Sequence, residues 1–302
     1  MSTPGVPTTV PPRSTWTDRL SGRGLVLVTI GIAGLWAAFV LDLDPRRLIP
    51  SSGGLGVARE LLSRALSPAL TYEAAFVPEG TRPLWSKALS AAGTTVVFAA
   101  AAMSLSLIVG LLLGPLASSV WWLGDTAGGR TALTRRWRRV VPPVVYGGVR
   151  VLIAAMRSVH ELLWAVLFLA AFGVHHLTAV IAIAIPYGGT LAKVFSEMLD
   201  EAPRESATAL RAIGASPVQV FVVGLLPRAL PDMTAYAMYR FECALRSSAV
   251  MGFFGYPTLG YYLSASLENL HYGEVWTYLY VLIGLVLVVD TWSGAIRRRL
   301  VE

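Results

Sequence analysis

Cysteine is almost absent: Cys243 stands alone among 302 residues, so no intrachain disulfide and no cysteine-based metal site can form. It lies in an apolar helical stretch and reads as a small buried residue. Charge is scarce as well. Only 14% of residues are charged while 55% are hydrophobic, with a mean hydropathy of +0.60, against about a quarter charged in soluble domains. Such a chain cannot cover a water-facing surface with polar groups, which makes the bilayer its natural solvent. No phosphate loop of the GxxxxGK[ST] kind occurs, so the chain is not expected to hydrolyse ATP itself. Adjacent His175 and His176 lack the spacing and companions of a zinc site and read as a solvated outer turn, and no other metal site is expected. No small-residue cleavage site follows the first apolar run. The Pro/Thr-rich residues 1–24 therefore read as a disordered cytoplasmic tail and not as a removable signal peptide.

What is present is basic and unevenly placed. The net charge is +7, but its location argues for topology over nucleic-acid binding. Arg13, Arg19 and Arg23 precede the first apolar run, Arg130, Arg135, Arg136, Arg138 and Arg139 crowd one loop, and Arg297, Arg298 and Arg299 close the chain. Those are the places where the positive-inside rule puts basic residues.

Runs of roughly 20 apolar residues predict an all-α, polytopic chain of about six membrane spans, near 25–41, 88–113, 144–172, 177–195, 230–253 and 275–296. Both termini then fall on the cytoplasmic side. Residues 42–87 form an extracytoplasmic segment in which Leu55, Ala58, Leu61, Leu62, Ala65 and Leu66 have the spacing of a helix lying on the membrane surface, a brace or a lid. The second span is rich in small residues, which let helices approach closely, so it is expected inside the bundle. Residues 115–141 read as the arginine-rich inner loop. Pro186 with Gly188-Gly189 interrupts the fourth span, a kink tolerable only against other helices. The polar stretch 196–226 is cytoplasmic: Ser206–Ile213 has helical periodicity, Gly214 ends it, and Ser216-Pro217 starts a second helix.

Two spans carry charges that should not face lipid. An arginine at the bilayer centre costs at least about 2.5 kcal/mol. At about 100° per residue, Arg157, His160, Glu161 and Trp164 share one face of the third span. In the fifth span Tyr236, Tyr239, Arg240, Arg246 and Ser247 share another, with Glu242 at its edge. Arg157–Glu161 and Glu242–Arg246 are four apart and able to pair, either as structural pairs that fix packing or as part of a polar route. Arg240 has no carboxylate three or four positions away, which makes it the better route candidate. Guanidinium groups suit phosphate or phosphonate oxygens through planar, bidentate donation. His160 beside Glu161 also admits a rival class, a proton-coupled carrier or intramembrane enzyme. A passive channel or scaffold is a third.

The cytoplasmic stretch resembles a known family. Thr208-Ala-Leu-Arg-Ala-Ile-Gly-Ala-Ser216, followed by Leu225-Leu-Pro227, is similar to the EAA loop of ABC importer permeases, with Gly214 and Leu226-Pro227 at the family spacing. Thr208 stands where the family usually has Glu, and Gly224 where it has Ile. Arg157–Phe168 and Tyr236–Gly252 resemble the phosphonate permease branch, whereas Gly255-Tyr-Pro-Thr-Leu-Gly260 replaces that branch's glycine-rich turn with bulky residues. The resemblance implies the type I ABC importer permease fold and a coupling helix over Glu205, Thr208, Ala209, Arg211, Ala212, Gly214, Ala215 and Ser216 that docks on a cytoplasmic ATPase. It implies a non-catalytic subunit with two ATPase subunits, where ATP and Mg bind, a second permease, identical or homologous, and an external phosphonate-type binding protein, all at a bacterial inner membrane. The two charged faces supply the candidate route residues: Arg157, His160, Glu161, Tyr239, Arg240, Glu242, Arg246 and Ser247.

Overall fold

The structure, a computed structural model, describes residues 23–43, 52–122 and 132–301. Most of the expected N-terminal tail, with Arg13 and Arg19, and Arg130 of the basic stretch lie outside those residues. The chain divides into two compact units, Met1–Glu60 and Leu61–Glu302, and no strand occurs among the described residues. In the first unit α1 (Arg23–Val40) occupies the place of the first expected span. Its apolar side chains, Leu25 and Leu27 through Phe39, are exposed around the helix, and a helix apolar on every side requires an apolar solvent. Helix α2 (Ser52–Ala65) covers the expected helical stretch up to Ala65 and crosses the boundary between the two units.

The second unit is built from α3 (Leu84–Ala117), α4 (Ser119–Trp122), α5 (Ala132–Ser158), α6 (Glu161–Phe172) and α7 (His176–Glu201). There follow α8 (Glu205–Ala212), α9 (Pro217–Gln219), a π-helical turn (Val220–Leu225) and α10 (Leu226–Val250). A 3-10 turn (Met251–Phe254), α11 (Leu259–Glu268) and α12 (Tyr272–Val301) complete it. Among the described residues α3, α7 and α12 are long and apolar enough to cross a membrane singly, and α5 with α6 forms a broken fourth, bent by 86°. The remaining two expected spans coincide with the shorter α1 and with α10, which is interrupted by charge.

Helix α7 is the central post: 61% of its apolar window is buried, against 33% for α3 and 11% for α12. Helices α3 and α7 run parallel, since their contacts advance together along both. The Ser106 hydroxyl reaches the Ala184 carbonyl at 3.3 Å, Gly110 faces Leu191, Gly114 faces Phe195, and the Ser118 hydroxyl donates to Asp200 at 2.7 Å. Small residues make this possible: a Cβ on Gly110 would stand 2.8 Å from Leu191 Cβ, closer than carbon atoms pack. The small-residue composition of α3 had this use.

Three expectations are corrected. The third span is not continuous: the chain leaves the helix after Ser158 and restarts at Glu161, with His160 as the new N-cap. The stretch read as an inner loop is helical up to Ala117, over Ser119–Trp122, and again from Ala132, because arginine is a strong helix former. Pro186 does not interrupt α7, which continues to Glu201 with Pro186, Gly188 and Gly189 buried. Separately, the bulky turn after α10 packs on α3: Tyr256 is buried and lies edge-on against Phe98 at 5.8 Å, and the Leu259 amide donates to Thr95 Oγ1 at 3.1 Å.

At the end of the unit away from α8, the last turns of α2 and the segment after it are fastened to the start of α12. Trp276 Nε1 donates to the Leu61 carbonyl and the Tyr280 hydroxyl to that of Ala65, both at 2.7 Å. The Glu73 amide donates to Glu274 at 2.8 Å, and the Gly273 amide donates back to the Glu73 carboxylate at 3.0 Å. These contacts tie residues 61–73 to the start of α12. Burial, with the Glu274 carboxylate and the Tyr262 phenol nearby, pushes the Tyr72 phenol above its ordinary pKa.

Candidate coupling and translocation sites

Helix α8 is a short bar closed at its C-terminal end. It ends in the pattern that local chemistry dictates: Gly214 adopts φ +82°, its amide donates to the Arg211 carbonyl at 3.0 Å, and the Ala215 amide donates to that of Leu210 at 3.0 Å. That is a Schellman closure, which glycine forms without strain. The next helix opens with a reciprocal capping box. The Ser216 amide donates to Gln219 Oε1 at 2.9 Å and the Gln219 amide to Ser216 Oγ at 3.4 Å, as Ser-Pro followed by Gln favours.

The family departures now have physical explanations. Gly224 lies against α8: a Cβ there would already stand 3.0 Å from Leu210 Cδ1 and 3.4 Å from Ala207 Cα. An isoleucine would push α8 away from the π turn. The Thr208 hydroxyl donates back to the Glu205 carbonyl at 2.8 Å, so it is spent on its own helix. Glu205, Thr208, Ala209, Arg211, Ala212, Gly214 and Ser216 are exposed and Ala215 is half-buried. The sequence reading left out Ile213, although it is 81% exposed between Ala212 and Gly214. Arg228 was also missed; its guanidinium lies 3.9 Å from Glu205, tying α8 to the first turn of α10.

Above α8, at the ends of α7 and α10, lies a cavity of about 570 Å³ whose lining includes Glu201, Arg228, Asp232, Tyr236 and Arg297. From its wall a polar line climbs α10. The Arg240 guanidinium sits 5.8 Å from the Tyr236 ring and 5.2 Å from the Tyr187 ring, held by cation–π attraction. Its Nε is buried without a hydrogen-bond partner, and no carboxylate pairs with it among the described residues. Next, Ser247 Oγ donates to Glu161 Oε1 at 2.9 Å. A serine hydroxyl has one proton, so the Tyr187 hydroxyl must be the donor in its 2.9 Å contact with Ser247. His160 closes the line with Nε2 3.5 Å from Glu161. Its Nδ1 accepts from the Leu162 amide at 3.3 Å, so the ring is a helix cap whose remaining N–H faces Glu161. A proton shuttle would have to surrender that cap.

Neither expected intrahelical pair forms. The break at His160 carries Glu161 onto a different helix from Arg157 and turns it toward Ser247. Glu242 pairs with Arg297 of α12 at 3.2 Å, because it faces that helix and is buried while Arg246 is exposed. Arg246 donates to Cys243 Sγ at 3.5 Å. Thus Glu161, His160, Arg240 and Ser247 lie along one line with Tyr187, while Arg157, Glu242 and the exposed Tyr239 and Arg246 lie off it. Tyr187 was missed because its neighbours Pro186 and Gly188 read only as a kink, and Arg297 because it read only as a topology signal.

Comparison with known proteins settles the class. The family described as binding-protein-dependent transport system inner membrane component matches residues 128–302. This chain belongs to that family. It is 32% identical over 280 residues, 91% of this chain and 88% of the relative, to the phosphite transport system permease protein PtxC of Stutzerimonas stutzeri. It is 31% identical over 165 residues to the phosphate-import permease protein PhnE of Mycolicibacterium smegmatis, covering 54% of this chain and 31% of that one. A structure of the inward-facing MetNI methionine ABC transporter matches the fold with a TM-score of 0.54 at 20% identity, over 68% of this chain and 93% of that one. The protein is therefore an all-α membrane permease subunit of the phosphonate type with the type I ABC importer permease fold, and the carrier and scaffold classes give way to this one.

Proposed function

We propose that this permease carries a phosphorus oxyanion (phosphonate, phosphate or phosphite) across a bacterial inner membrane, driven by ATP hydrolysed on partner subunits. In this reading two ATPases carrying ATP and Mg grip Glu205–Ser216 from the cytoplasm, with Ile213 as an apolar contact. A second permease completes the route, and an external phosphonate-type binding protein delivers the solute. Both termini lie inside, as the basic residues favour. The exposed Arg246 and Tyr239 of α10 then face the second permease or a wet route, since an arginine facing lipid at mid-depth is costly.

The observation that carries the reading is Arg240: its Nε is buried without a hydrogen-bond partner, no carboxylate pairs with it among the described residues, and its guanidinium lies over the rings of Tyr187 and of Tyr236, the latter lining the cavity beside α8. Such a group tolerates an anion and binds its oxygens through charge-assisted hydrogen bonds. The names of the relatives support the solute class. The test is uptake of labelled phosphite, phosphate and methylphosphonate by the reconstituted transporter. Arg240→Ala is expected to reduce uptake by roughly ten- to hundred-fold, the worth of one charged hydrogen bond, while the ATPase subunits still co-purify. Unchanged uptake removes Arg240 from the route.

A further inference from the structure

Arg157, displaced from the polar line, lines a second cavity of about 160 Å³ with Arg150, Lys193 and Ser196, between the end of α3 and helices α5 and α7. Three cationic side chains face this space. The single carboxylate, Glu197, already pairs with Lys193 at 2.8 Å. Arg150 is pinned by its Nε, which donates to the Ala117 carbonyl at 3.3 Å, and by the Tyr146 ring, 4.8 Å from its guanidinium carbon. Those contacts fix the fork and leave its terminal nitrogens to point elsewhere. Arg157 makes neither a hydrogen bond nor an ion pair among the described residues. Its stem lies close against Gly189 of α7, which keeps the guanidinium beside the cavity.

Three cations share one carboxylate here, and two of them are guanidiniums, whose planar donors suit a tetrahedral oxyanion. The surroundings are apolar: Val151 and Leu152, which follow Arg150 on α5, are exposed at 70% and 49%. In sequence, Arg135, Arg136, Arg138 and Arg139 lie at the start of the same helix. Basic pockets between helices at the cytoplasmic face of a membrane hold the phosphates of anionic lipids. We infer that the Arg150–Arg157–Lys193 cavity binds a phosphate group, supplied by the headgroup of an anionic phospholipid or by a free phosphorus oxyanion. The inference rests on the proposed orientation only in placing the cavity at the cytoplasmic leaflet.

The experiment uses the intact transporter in nanodiscs and compares wild type with R150Q/R157Q, R150K/R157K and R240Q. One arm replaces phosphatidylcholine by phosphatidylglycerol and reads lipid retained in native mass spectra together with the melting temperature. The other adds inorganic phosphate in pure phosphatidylcholine. Retained, stabilising phosphatidylglycerol that weakens roughly five-fold per arginine removed, survives in the lysine pair and is unaffected by R240Q assigns the cavity to lipid. Stabilisation by phosphate that R150Q/R157Q reduces, beyond any part that R240Q removes at the route, assigns it to the free ion. No response in either arm, or an equal response in R150Q/R157Q, overturns the inference. ATPase co-purification is scored in every sample, so failure of the transporter reading shows separately from failure of this site.

Discussion

Glu242 of α10 pairs with Arg297 of α12 at 3.2 Å, not with Arg246 one turn further along its own helix. Arg297 also approaches Asp290 at 3.8 Å and borders the large cavity beside the coupling helix. Side chains on a helix lean toward its N-terminus, so Arg297 reaches back up α12 to meet a carboxylate near the middle of α10. The pair fastens the last helix to the one bearing the polar line.

Removing one partner leaves the other without its counter-charge. Glu242→Gln and Arg297→Gln are each expected to destabilise the assembled permease by about 1–3 kcal/mol, below the range for fully buried pairs because Arg297 is partly exposed. The double substitution should cost less than the sum of the two. Thermal inactivation of the four proteins in nanodiscs closes this cycle; strict additivity would mean that the two side chains do not interact.

Gly214 tests the coupling bend. Proline fixes φ near −65° and lacks an N–H, whereas Gly214 has φ +82° and donates to Arg211. Gly214→Pro should abolish solute-stimulated ATP hydrolysis while the subunits still co-purify, and Gly214→Asn should retain most of it, since asparagine tolerates this conformation. Equal activity in both would detach the bend from coupling.

Gly224→Ile restores the residue common in the family, yet it should impair this protein. The added atoms meet Leu210 and Ala207 of α8, and overpacking of this kind costs about 1–3 kcal/mol. Hydrogen exchange across 205–212 should rise in Gly224→Ile and stay near wild type in Gly224→Ala. Unchanged protection in the isoleucine variant would refute the packing account.

Gly110→Leu probes the parallel contact of α3 with α7. A side chain there would collide with Leu191 and force the helices apart. The expected outcome is loss of assembled transporter from membranes, read by quantitative immunoblot, with Gly93→Leu, which meets open space, expressed at the wild-type level.

Much of this was legible because it is local chemistry. Long apolar runs mark helices by composition alone. The bend at Gly214 and the restart at Ser216-Pro217 are written in capping residues that act within one turn. The break at His160 was not legible as a break, since no proline or glycine lies there. Its one trace is Ser158 with Glu161 at capping-box spacing, although His160 became the cap. The pairings failed for a different reason: helical spacing states which residues can meet on one helix, whereas Glu242 and Glu161 are claimed by Arg297 and Ser247 from elements distant in sequence. Arg150, Arg157 and Lys193 are likewise gathered only by the packing of α5 against α7.

The most direct test of the whole account is cross-linking of the coupling bar. With Cys243→Ser as background, Ile213→Cys in inside-out vesicles containing the full transporter should form a specific cross-link to the ATPase subunit and block solute-stimulated ATP hydrolysis. A cysteine at position 213 that links to no ATPase, or that reacts only with reagents added from the outer face of the membrane, would contradict it.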